Sequence, residues 1–294
     1  MAATVCAIVI NYFGAEKTAQ CLDSLRSEPL TTLLLVDNSA TDEQREKMAG
    51  LVADLQERGA GFGIQAMNNE ENLGFGRAIN RAIAMDLQRT GGHDYYLLLN
   101  NDARVTPGLV SGLLRSAAQD PKPALVAPRI RWGEREIGYY WYQPLLGHVS
   151  TSPFPGSFKY LSGCCLLVDR AMAPDGQLFD ERFFMYGEDI ALTVKATRAG
   201  RPAVCVQDLL VEHEGSGTAK LGSFFYEYHV ARGHILLAGM LADGPLGAVL
   251  NLLGRVVYLG ARAFVRAVRF RSAVPLSVLA ALAMNRWRPS NARM

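Results

Sequence analysis

The sequence predicts an α/β fold built on a doubly wound, mostly parallel sheet. Over the first hundred residues, short apolar runs typical of strands alternate with amphipathic stretches typical of helices. Alternation of this kind places successive strands in parallel, with right-handed crossovers that cover both faces of the sheet. The chain has 294 residues, of which 49% are hydrophobic and 20% charged. This composition suits one large or two ordinary domains and excludes a disordered, collagen-like or coiled-coil protein.

The elements follow in order along the chain. Strands are predicted at residues 5–10, 31–36, 63–67 and 95–99, and helices near residues 15–26, 42–58 and 74–88. Further on, the pattern predicts a helix at 107–119, strands at 124–130, 159–168 and 203–207, and a helix from Glu188 to about residue 199. Residues 132–156 are aromatic-rich and without a clear period, as in functional or mobile segments. Beyond residue 222 the chain is mostly helical.

Polar side chains follow each of the first four predicted strands. The runs are Asn11-Tyr12, Asp37-Asn38-Ser39, Asn68-Asn69-Glu70 and Asn100-Asn101-Asp102. Ligands of parallel sheets bind beyond the carboxyl ends of the strands, so these runs predict a binding site at one edge. Neither a G-x-G-x-x-G run after the first strand nor a P-loop is present, which argues against dinucleotide and P-loop sites.

Three acidic or basic side chains are candidates for chemistry at that edge. Asp102 can coordinate a divalent cation bound to a diphosphate, or it can simply satisfy backbone donors in a turn. Asp189, with Glu188, opens a helix and is either a general base or a helix-capping residue. His213 lies between two glutamates and can be a metal ligand, an acid/base group or neither.

Five runs of sequence, in this order, resemble the family 2 glycosyltransferases of the GT-A fold, and in particular the bacterial rhamnosyltransferase-type branch. The runs are CAIVINY at 6–12, VDNSATD at 36–42, NLGFGRAIN at 72–80, LLLNNDA at 97–103 and FDERFFMYGED at 179–189. The resemblance covers about residues 4–217. It implies a nucleotide-sugar-binding catalytic domain at residues 1–222, followed by a helical, basic and amphipathic region at residues 223–294.

The resemblance also implies roles on the donor side of the site. Asp37 matches the aspartate that binds the nucleoside, and Asn11 and Tyr12 match the strand end beside the base and ribose. The positions near the nucleoside and diphosphate correspond to Asn72, Gly74 and Arg77.

For the reacting groups, the resemblance implies a cation and a base. Asn100 and Asp102 stand at the first and last positions of a D-x-D-like metal motif, and His213 stands where a metal- or diphosphate-contacting histidine is found. Asp189 matches the base that deprotonates the acceptor hydroxyl. The cation is expected to be Mg²⁺ or Mn²⁺.

The implied activity is an inverting sugar transfer in cell-surface polysaccharide synthesis. The donor is expected to be dTDP-L-rhamnose first, and a UDP-hexose or UDP-galactofuranose next. The acceptor is a hydroxyl of a growing glycan or of its lipid-linked precursor, on which aromatic side chains between Trp132 and Tyr142 stack unless they pack a flap. Two other classes stay open: a nucleotidyltransferase, and a non-catalytic module that binds glycan or membrane.

The end of the chain is basic. From Asp243 onward the sequence contains eight arginines and a single acidic residue, whereas the rest of the chain has more acidic than basic residues. Three of these arginines, Arg286, Arg288 and Arg293, lie in the last nine residues. On a helix from about Pro245 to Arg271, helical spacing forms two stripes. The arginine stripe consists of Arg255, Arg262, Arg266 and Arg269; the apolar stripe consists of Leu246, Leu250, Leu253, Val257, Phe264 and Val268.

This pair of stripes predicts a helix lying on an anionic membrane surface rather than a nucleic-acid contact. The alternative is that the apolar stripe packs on the catalytic domain while the arginines face water.

The five cysteines show no metal or disulfide spacing and predict buried free thiols in a reducing compartment. The expected location is therefore the cytoplasm, at the inner face of the cell membrane.

Overall fold

A computed structural model describes residues 2–215 and 221–283 and contains a nine-stranded sheet. The strands within these described residues are β1 (Val5–Asn11), β2 (Thr32–Asp37), β3 (Gly63–Asn68), β4 (Tyr95–Asn100), β5 (Ala103–Val105), β6 (Leu125–Trp132), β7 (Arg135–Ile137), β8 (Tyr140–Gln143), β9 (His148–Ser150), β10 (Phe158–Tyr160), β11 (Cys165–Asp169) and β12 (Ala203–His213). The large sheet has the order β3-β2-β1-β4-β11-β6-β12-β5, with β7 added to β6. The pairs β3-β2, β2-β1, β1-β4 and β6-β12 are parallel.

Helices cover both faces of this sheet. They are α1 (Ala15–Leu25), α2 (Asp42–Glu57), α3 (Gly74–Thr90), α4 (Leu109–Ala117) and α5 (Glu188–Arg198). One apolar core joins α1, α2 and α4 to one face, and a second core joins α3 and α5 to the other. The central strands are buried on both faces, so they form continuous apolar runs in the sequence. The predicted α/β, doubly wound fold is confirmed.

Two regions differ from the sequence prediction. Residues predicted as one strand at 159–168 form two strands, β10 and β11, and part of the aperiodic segment 132–156 forms β7, β8 and β9. Strands β10, β8 and β9 make a separate three-stranded antiparallel sheet. These strands have only three or four residues, so their sequences hold too few alternations to be recognised.

Strand β12 is longer than predicted. It continues past residue 207 to His213, with an irregularity between Val206 and Leu210 where its pairing with β6 shifts register. Its last residues pair antiparallel with β5, so that His213 lies opposite Ala103. This pairing carries the end of β12 to the carboxyl end of β4.

Three helices follow: α6 (Phe224–Met240), α7 (Gly244–Phe270) and α8 (Val274–Ala283). They pack on one another around a small apolar core, to which Tyr228, Leu259 and Val278 each contribute from a different helix. Helix α6 also packs against α5, where Leu237 joins a core with Phe183 and Ile190. The helical region therefore shares an apolar core with the segment that begins α5.

The orientation of α7 contradicts the predicted role of its arginine stripe. Arg255 is completely buried, and Arg262 and Arg266 form ion pairs with the buried carboxylate of Glu227 at 2.7 and 2.6 Å. Of the four arginines of the stripe, Arg269 alone is exposed. The prediction that this stripe contacts an anionic surface is wrong at three positions, because α6 offers buried acceptors that the sequence of α7 does not show.

The packed-helix alternative is wrong as well. Every member of the apolar stripe is exposed, from 50% at Leu250 to 73% at Leu246. By length and composition, α7 could also cross a membrane, although the same property is found in core helices of other proteins. The remaining arginines of the basic end, Arg286, Arg288 and Arg293, lie outside the described residues.

Candidate active site

A cavity of about 350 Å³ opens at the carboxyl edge of the parallel strands. Its walls come from the ends of β1, β2, β4 and β12, the first residues of α3 and α5, the loop before β11, and α6. The volume falls within the range of small-molecule sites. Most of the sequence-predicted site residues line it, namely Tyr12, Asn72, Gly74, Asn100, Asp102, Asp189 and His213.

Asp102 and His213 are in direct contact on one wall of the cavity. The His213 Nε2 lies 3.1 Å from an Asp102 carboxylate oxygen, and the backbone amide of Glu214 donates to the Asp102 carbonyl at 3.2 Å. The pairing of β12 with β5 produces this contact, since Asp102 immediately precedes β5 and His213 ends β12.

The electrostatics of this pair follow from its burial and its partners. Burial alone would raise the pKa of Asp102, but the hydrogen bond and charge of His213, together with Lys17, hold that pKa below its usual range. Burial alone would lower the pKa of His213, but hydrogen bonds to Asp102 and Cys164 raise it to about 10. The contact therefore favours a carboxylate beside an imidazolium when no cation is bound.

Glu188 and Asp189 lie on another wall, in the first turn of α5. Burial raises the pKa of both carboxyl groups, and the charge of Asp189 raises that of Glu188 further. Backbone amides of Ile190 and Gly163 donate to Asp189, which favours its ionised form and makes it the more acidic of the two. The Oε2 atom of Glu188 is buried without a hydrogen-bond partner among the described residues. Of the two carboxyl groups, Glu188 therefore binds a proton more strongly.

A polar network lies beneath the cavity at the ends of β1 and β2. The Asn11 side-chain amide donates to Asp37 Oδ1 at 2.8 Å, and the Oδ1 of Asn11 accepts a hydrogen bond from the Thr18 hydroxyl. The second oxygen of Asp37, Oδ2, is buried and has no hydrogen-bond partner within the described chain. Buried polar atoms are nearly always hydrogen-bonded, so this unpaired oxygen beside the cavity makes Asp37 a candidate for a ligand contact.

Asn38 lines the cavity but is not among the residues to which the sequence prediction assigned a role in the site. Its side chain donates to Asn72 Oδ1 at 2.8 Å and accepts from Asn69 and from the amide of Leu73, so it fixes the loop that leads into α3. The signal that could have identified it is its place between Asp37 and Ser39 in a strand-end polar run.

Three predicted site residues are not among those that line the cavity. Asn11 and Asp37 are fully buried next to it. Arg77 is about half exposed; its Nε donates to the Glu181 carbonyl at 3.2 Å and lies 3.8 Å from the Glu181 carboxylate. The structure therefore brings Asp102, His213 and Asp189 to one cavity but does not bring Arg77 to it.

Two glycines allow close approaches that shape the cavity. A Cβ at Gly74 would overlap the carbonyl oxygen of Phe184, which accepts a hydrogen bond from the Phe75 amide at 2.9 Å. A Cβ at Gly233, on α6, would overlap the carbonyl oxygen of Tyr186. Helices α3 and α6 thus contact the segment that leads to Asp189.

Helix α6 also supplies a cavity residue that the sequence interpretation missed. Tyr226 lines the cavity, and its ring lies 5.2 Å from the ring of Tyr186. The guanidinium of Arg266, on α7, lies 5.4 Å from the Tyr226 ring centre. No sequence signal identifies Tyr226, because it is one of several aromatic residues in an ordinary helical run.

The aromatic residues proposed to stack on acceptor sugars have different environments. Tyr142 is completely buried, and the Tyr139 hydroxyl accepts a hydrogen bond from the Cys205 amide at 2.8 Å. Trp132 remains about half exposed, beside Gly215 and one residue beyond the β6 partner of Glu212. Only Trp132 among these three keeps a largely free ring near the end of β12.

A second group of metal-ligand side chains lies at the opposite edge of the sheet. Potential ligand atoms of Cys6, Asp86 and His93 lie within 4.8 Å of one another. The Asp86 carboxylate already accepts hydrogen bonds from His93, Tyr96 and Thr90. This group is accounted for as a buried hydrogen-bond network. All five cysteines are buried and unpaired, as predicted.

Comparison with solved structures supports the GT-A type of fold. The mannosyltransferase PcManGT from Pyrobaculum calidifontis, in complex with GDP-Man and Mn²⁺, is similar over 99% of this chain and 78% of its own, with a TM-score of 0.60 and 16% identity. GalNAc-T7 with UDP, GalNAc and Mn²⁺ is similar over 84% of this chain and 52% of its own, with a TM-score of 0.59 and 15% identity. Both are glycosyltransferase structures that contain Mn²⁺.

Sequence comparison gives the family. Two relatives from Mycobacterium tuberculosis, strains CDC 1551 / Oshkosh and H37Rv, are named N-acetylglucosaminyl-diphospho-decaprenol L-rhamnosyltransferase. Each is 26% identical over 245 residues, which cover 73% of this chain and 77% of the relative. The profile described as Glycosyl transferase family 2 matches residues 6–175, more than half of the chain. The chain therefore belongs to glycosyl transferase family 2.

Proposed function

We propose that this glycosyltransferase moves L-rhamnose from dTDP-L-rhamnose to a hydroxyl of a lipid-linked saccharide, with inversion at the anomeric carbon. The observation that carries the site assignment is that Asp102 with His213, and Asp189 with Glu188, line one cavity at the carboxyl edge of the sheet. The relatives named as L-rhamnosyltransferases support this choice of sugar and acceptor class. Family membership leaves the nucleotidyltransferase alternative without support.

The nucleoside is proposed to bind over the ends of β1 and β2. Tyr12, Asn38 and Asn72 line that side of the cavity, and the unpartnered Oδ2 of Asp37, which is buried next to it, would accept a hydrogen bond from the base if binding opens access to it. The diphosphate would then extend toward Asn100 and Asp102. Arg77 stays a candidate for the diphosphate only if its contact with Glu181 is released.

A divalent cation, Mg²⁺ or Mn²⁺, fits the donor set at Asp102 and His213. Both side chains line the cavity, and they offer one carboxylate oxygen and one imidazole nitrogen. His213 must lose its proton to act as a ligand, so cation binding would replace the imidazolium charge beside Asp102. A bound cation would stabilise the negative charge of the departing diphosphate. The Mn²⁺ in the two similar structures supports this assignment.

Asp189 is proposed to accept the proton of the attacking acceptor hydroxyl. Two backbone amides orient its carboxylate, and its burial increases its affinity for a proton compared with an exposed aspartate. Glu188, which holds its proton more strongly, keeps the pair at a single negative charge. A base in this role removes the proton as the single displacement proceeds, which accounts for inversion without a covalent intermediate.

The experiment that tests the function is a donor panel with purified protein. dTDP-L-rhamnose, UDP-galactofuranose, UDP-N-acetylglucosamine and GDP-mannose are each incubated with a polyprenyl-diphosphate-linked saccharide, and nucleoside diphosphate release and the glycan product are measured. We expect transfer from dTDP-L-rhamnose, inverted anomeric configuration in the product, and loss of turnover in EDTA that Mn²⁺ or Mg²⁺ restores. Preference for another donor would contradict the sugar assignment, and no transfer from any donor would favour a non-catalytic binding module.

The cation site has its own variant. Asp102→Asn keeps the size of the side chain and a hydrogen-bonding oxygen near His213 but removes the charge that holds a cation. We expect turnover to fall by about 10²–10³-fold and the metal-dependent part of nucleotide binding to disappear, because several kcal/mol of charge stabilisation are lost. The matched control is Glu214→Gln, which removes an exposed carboxylate paired with Lys17 and Arg104 outside the cavity. Equal loss in both variants would contradict a specific cation site.

A further inference from the structure

Helix α7 has an inverted distribution of polarity. Helices at a protein surface normally turn their apolar side inward and their charges outward. In α7 the inward side carries Asn251, Arg255, Arg262 and Arg266 beside the buried apolar residues Leu259 and Ala263. The outward side, which we call the apolar face of α7, carries ten apolar side chains that are 45–73% exposed: Leu246, Val249, Leu250, Leu252, Leu253, Val256, Val257, Phe264, Val265 and Val268.

The inward polar groups all have partners. Arg255 donates to the Tyr142 hydroxyl at 2.9 Å, to the His234 carbonyl at 3.1 Å and to the Pro144 carbonyl. Asn251 donates to the Ala238 carbonyl at 3.1 Å. Arg262 and Arg266 share the buried carboxylate of Glu227, as described above. Every charged residue between 244 and 268 is thereby held inside, which leaves the apolar face without charge.

We infer that the apolar face of α7 docks on the lipid bilayer, with the helix lying in the plane of the membrane. At 1.5 Å per residue the 27-residue helix is about 40 Å long, and its apolar face, from Leu246 to Val268, extends over about 33 Å. Asn251, Arg255 and Arg262 fasten α7 to α6 at successive levels along this length, so the helix cannot leave the protein to span the membrane without breaking these bonds. Burial of one side in the lipid boundary is the arrangement of an interfacial helix.

The chemistry of the face favours lipid over a protein partner or a second copy. Protein interfaces combine an apolar centre with a polar rim and about one hydrogen bond per 100–200 Å². The ten side chains of the apolar face supply no hydrogen-bonding group. Arg269 and Arg271, which are exposed at the end of the strip, are placed to contact lipid phosphates. This distribution matches a bilayer, which is apolar along the strip and anionic at its boundary.

Docking of α7 on the membrane would bring a lipid-linked acceptor close to the cavity. This consequence rests on the proposed lipid-linked acceptor. Arg266 on α7 contacts the ring of Tyr226, which lines the cavity. Helix α7 itself and the Tyr226 side chain of α6 therefore lie between the end of the strip and the cavity. A saccharide carried on a membrane lipid would reach the site from a bilayer placed on this face.

The test is sedimentation of the full chain with vesicles of phosphatidylcholine, alone or mixed with phosphatidylglycerol. We expect binding to both, with little loss when salt is raised, because apolar burial is not screened. Val257→Gln combined with Phe264→Gln should lower the partition coefficient by about tenfold or more. Val257→Leu combined with Phe264→Leu, at the same two positions, should retain binding. Unchanged thermal unfolding of both variants shows that the loss comes from the surface.

Three results would overturn the proposal. One is no binding of the wild-type chain to either vesicle; the second is binding only to the anionic vesicle that disappears in salt. The third is a concentration-dependent dimer, measured by light scattering, that the two glutamine substitutions abolish, together with no binding of the wild-type chain to vesicles. Vesicle binding is measured without donor or acceptor, so a failure of the proposed sugar transfer leaves this result unaffected and can be recognised separately.

Discussion

Glu188 and Asp189 are adjacent residues with different protonation, and this difference determines how activity should depend on pH. Burial raises the pKa of both, while backbone amides from Ile190 and Gly163 keep Asp189 the more acidic. A general base works only when ionised, so turnover should be lost as the pH falls through the raised pKa of Asp189. We therefore expect the acid limb of the kcat profile to lie above pH 4, where an ordinary aspartate titrates at about 3.9.

Asp189→Asn should remove that limb. The asparagine keeps the shape of the side chain but cannot accept the proton, so kcat should fall by about 10²–10⁴-fold while donor affinity is retained. Glu188→Gln is the matched control, because glutamine imitates the protonated acid and should leave the position of the limb unchanged. An acid limb near pH 4, or a kcat within tenfold of wild type in Asp189→Asn, would return Asp189 to a helix-capping role.

The sequence predicted which residues meet at the cavity better than it predicted their contacts, and the roles of these residues stay predictions. Asp102, His213 and Asp189 were predicted from strand-end and helix-start positions and from the family resemblance, and the structure brings them to one cavity. Tyr226 could not be predicted, since it reaches the cavity from a helix more than a hundred residues beyond Asp102 in the chain. The contact of Arg77 with Glu181 depends on tertiary packing that neither segment encodes locally.

Among the elements, α6 contacts the active-site segment through a glycine. A Cβ at Gly233 would overlap the carbonyl oxygen of Tyr186, a backbone atom two residues before Glu188 that cannot move by changing a rotamer. Alanine at a helical glycine normally stabilises by about 0.8–1 kcal/mol. We expect Gly233→Ala instead to lower the free energy of unfolding by about 1–3 kcal/mol, because overpacking outweighs the helix propensity, and to reduce turnover.

Gly239→Ala provides the control in the same helix. An added Cβ there meets nothing within 4 Å. This variant should be as stable as the wild type or more stable, with normal turnover. Denaturant unfolding of both variants measures the difference. A Gly233→Ala variant as stable and active as Gly239→Ala would show that the α6 contact does not support the site.

Elements that are buried on both faces were predicted well from the sequence, whereas elements defined by partners far away in the chain were not. Strands β1, β2 and β4 were predicted within one or two residues because burial on both faces makes each a continuous apolar run. Strand β5 has only three residues and is defined by its pairing with β12, so its own sequence gives no signal. For α7 the helical spacing revealed two stripes but not which one faces the protein, because the partners of Arg255 lie on α6 and near β8.

For the whole molecule, a boundary at residue 222 between a catalytic domain and a helical region stays a prediction. The contacts across that boundary are extensive. Phe183 and Ile190, next to the site, share a buried core with Leu237 of α6. The buried guanidinium of Arg255 on α7 is hydrogen-bonded to the Tyr142 hydroxyl of β8. The helices therefore share buried contacts with residues on the other side of the predicted boundary.

A chain ending at residue 222 should not form an active enzyme. It would expose Phe183 and Ile190, at about 1.5–3 kcal/mol for each buried side chain, in a fold whose total stability is about 5–15 kcal/mol. It would also lose Tyr226 from the cavity wall. We expect aggregation or non-cooperative thermal unfolding, and no thermal shift with dTDP and Mn²⁺. A chain ending at residue 283 keeps every described contact and should unfold cooperatively and bind dTDP, whereas cooperative unfolding and dTDP binding by the 1–222 chain would establish residues 1–222 as an independent domain.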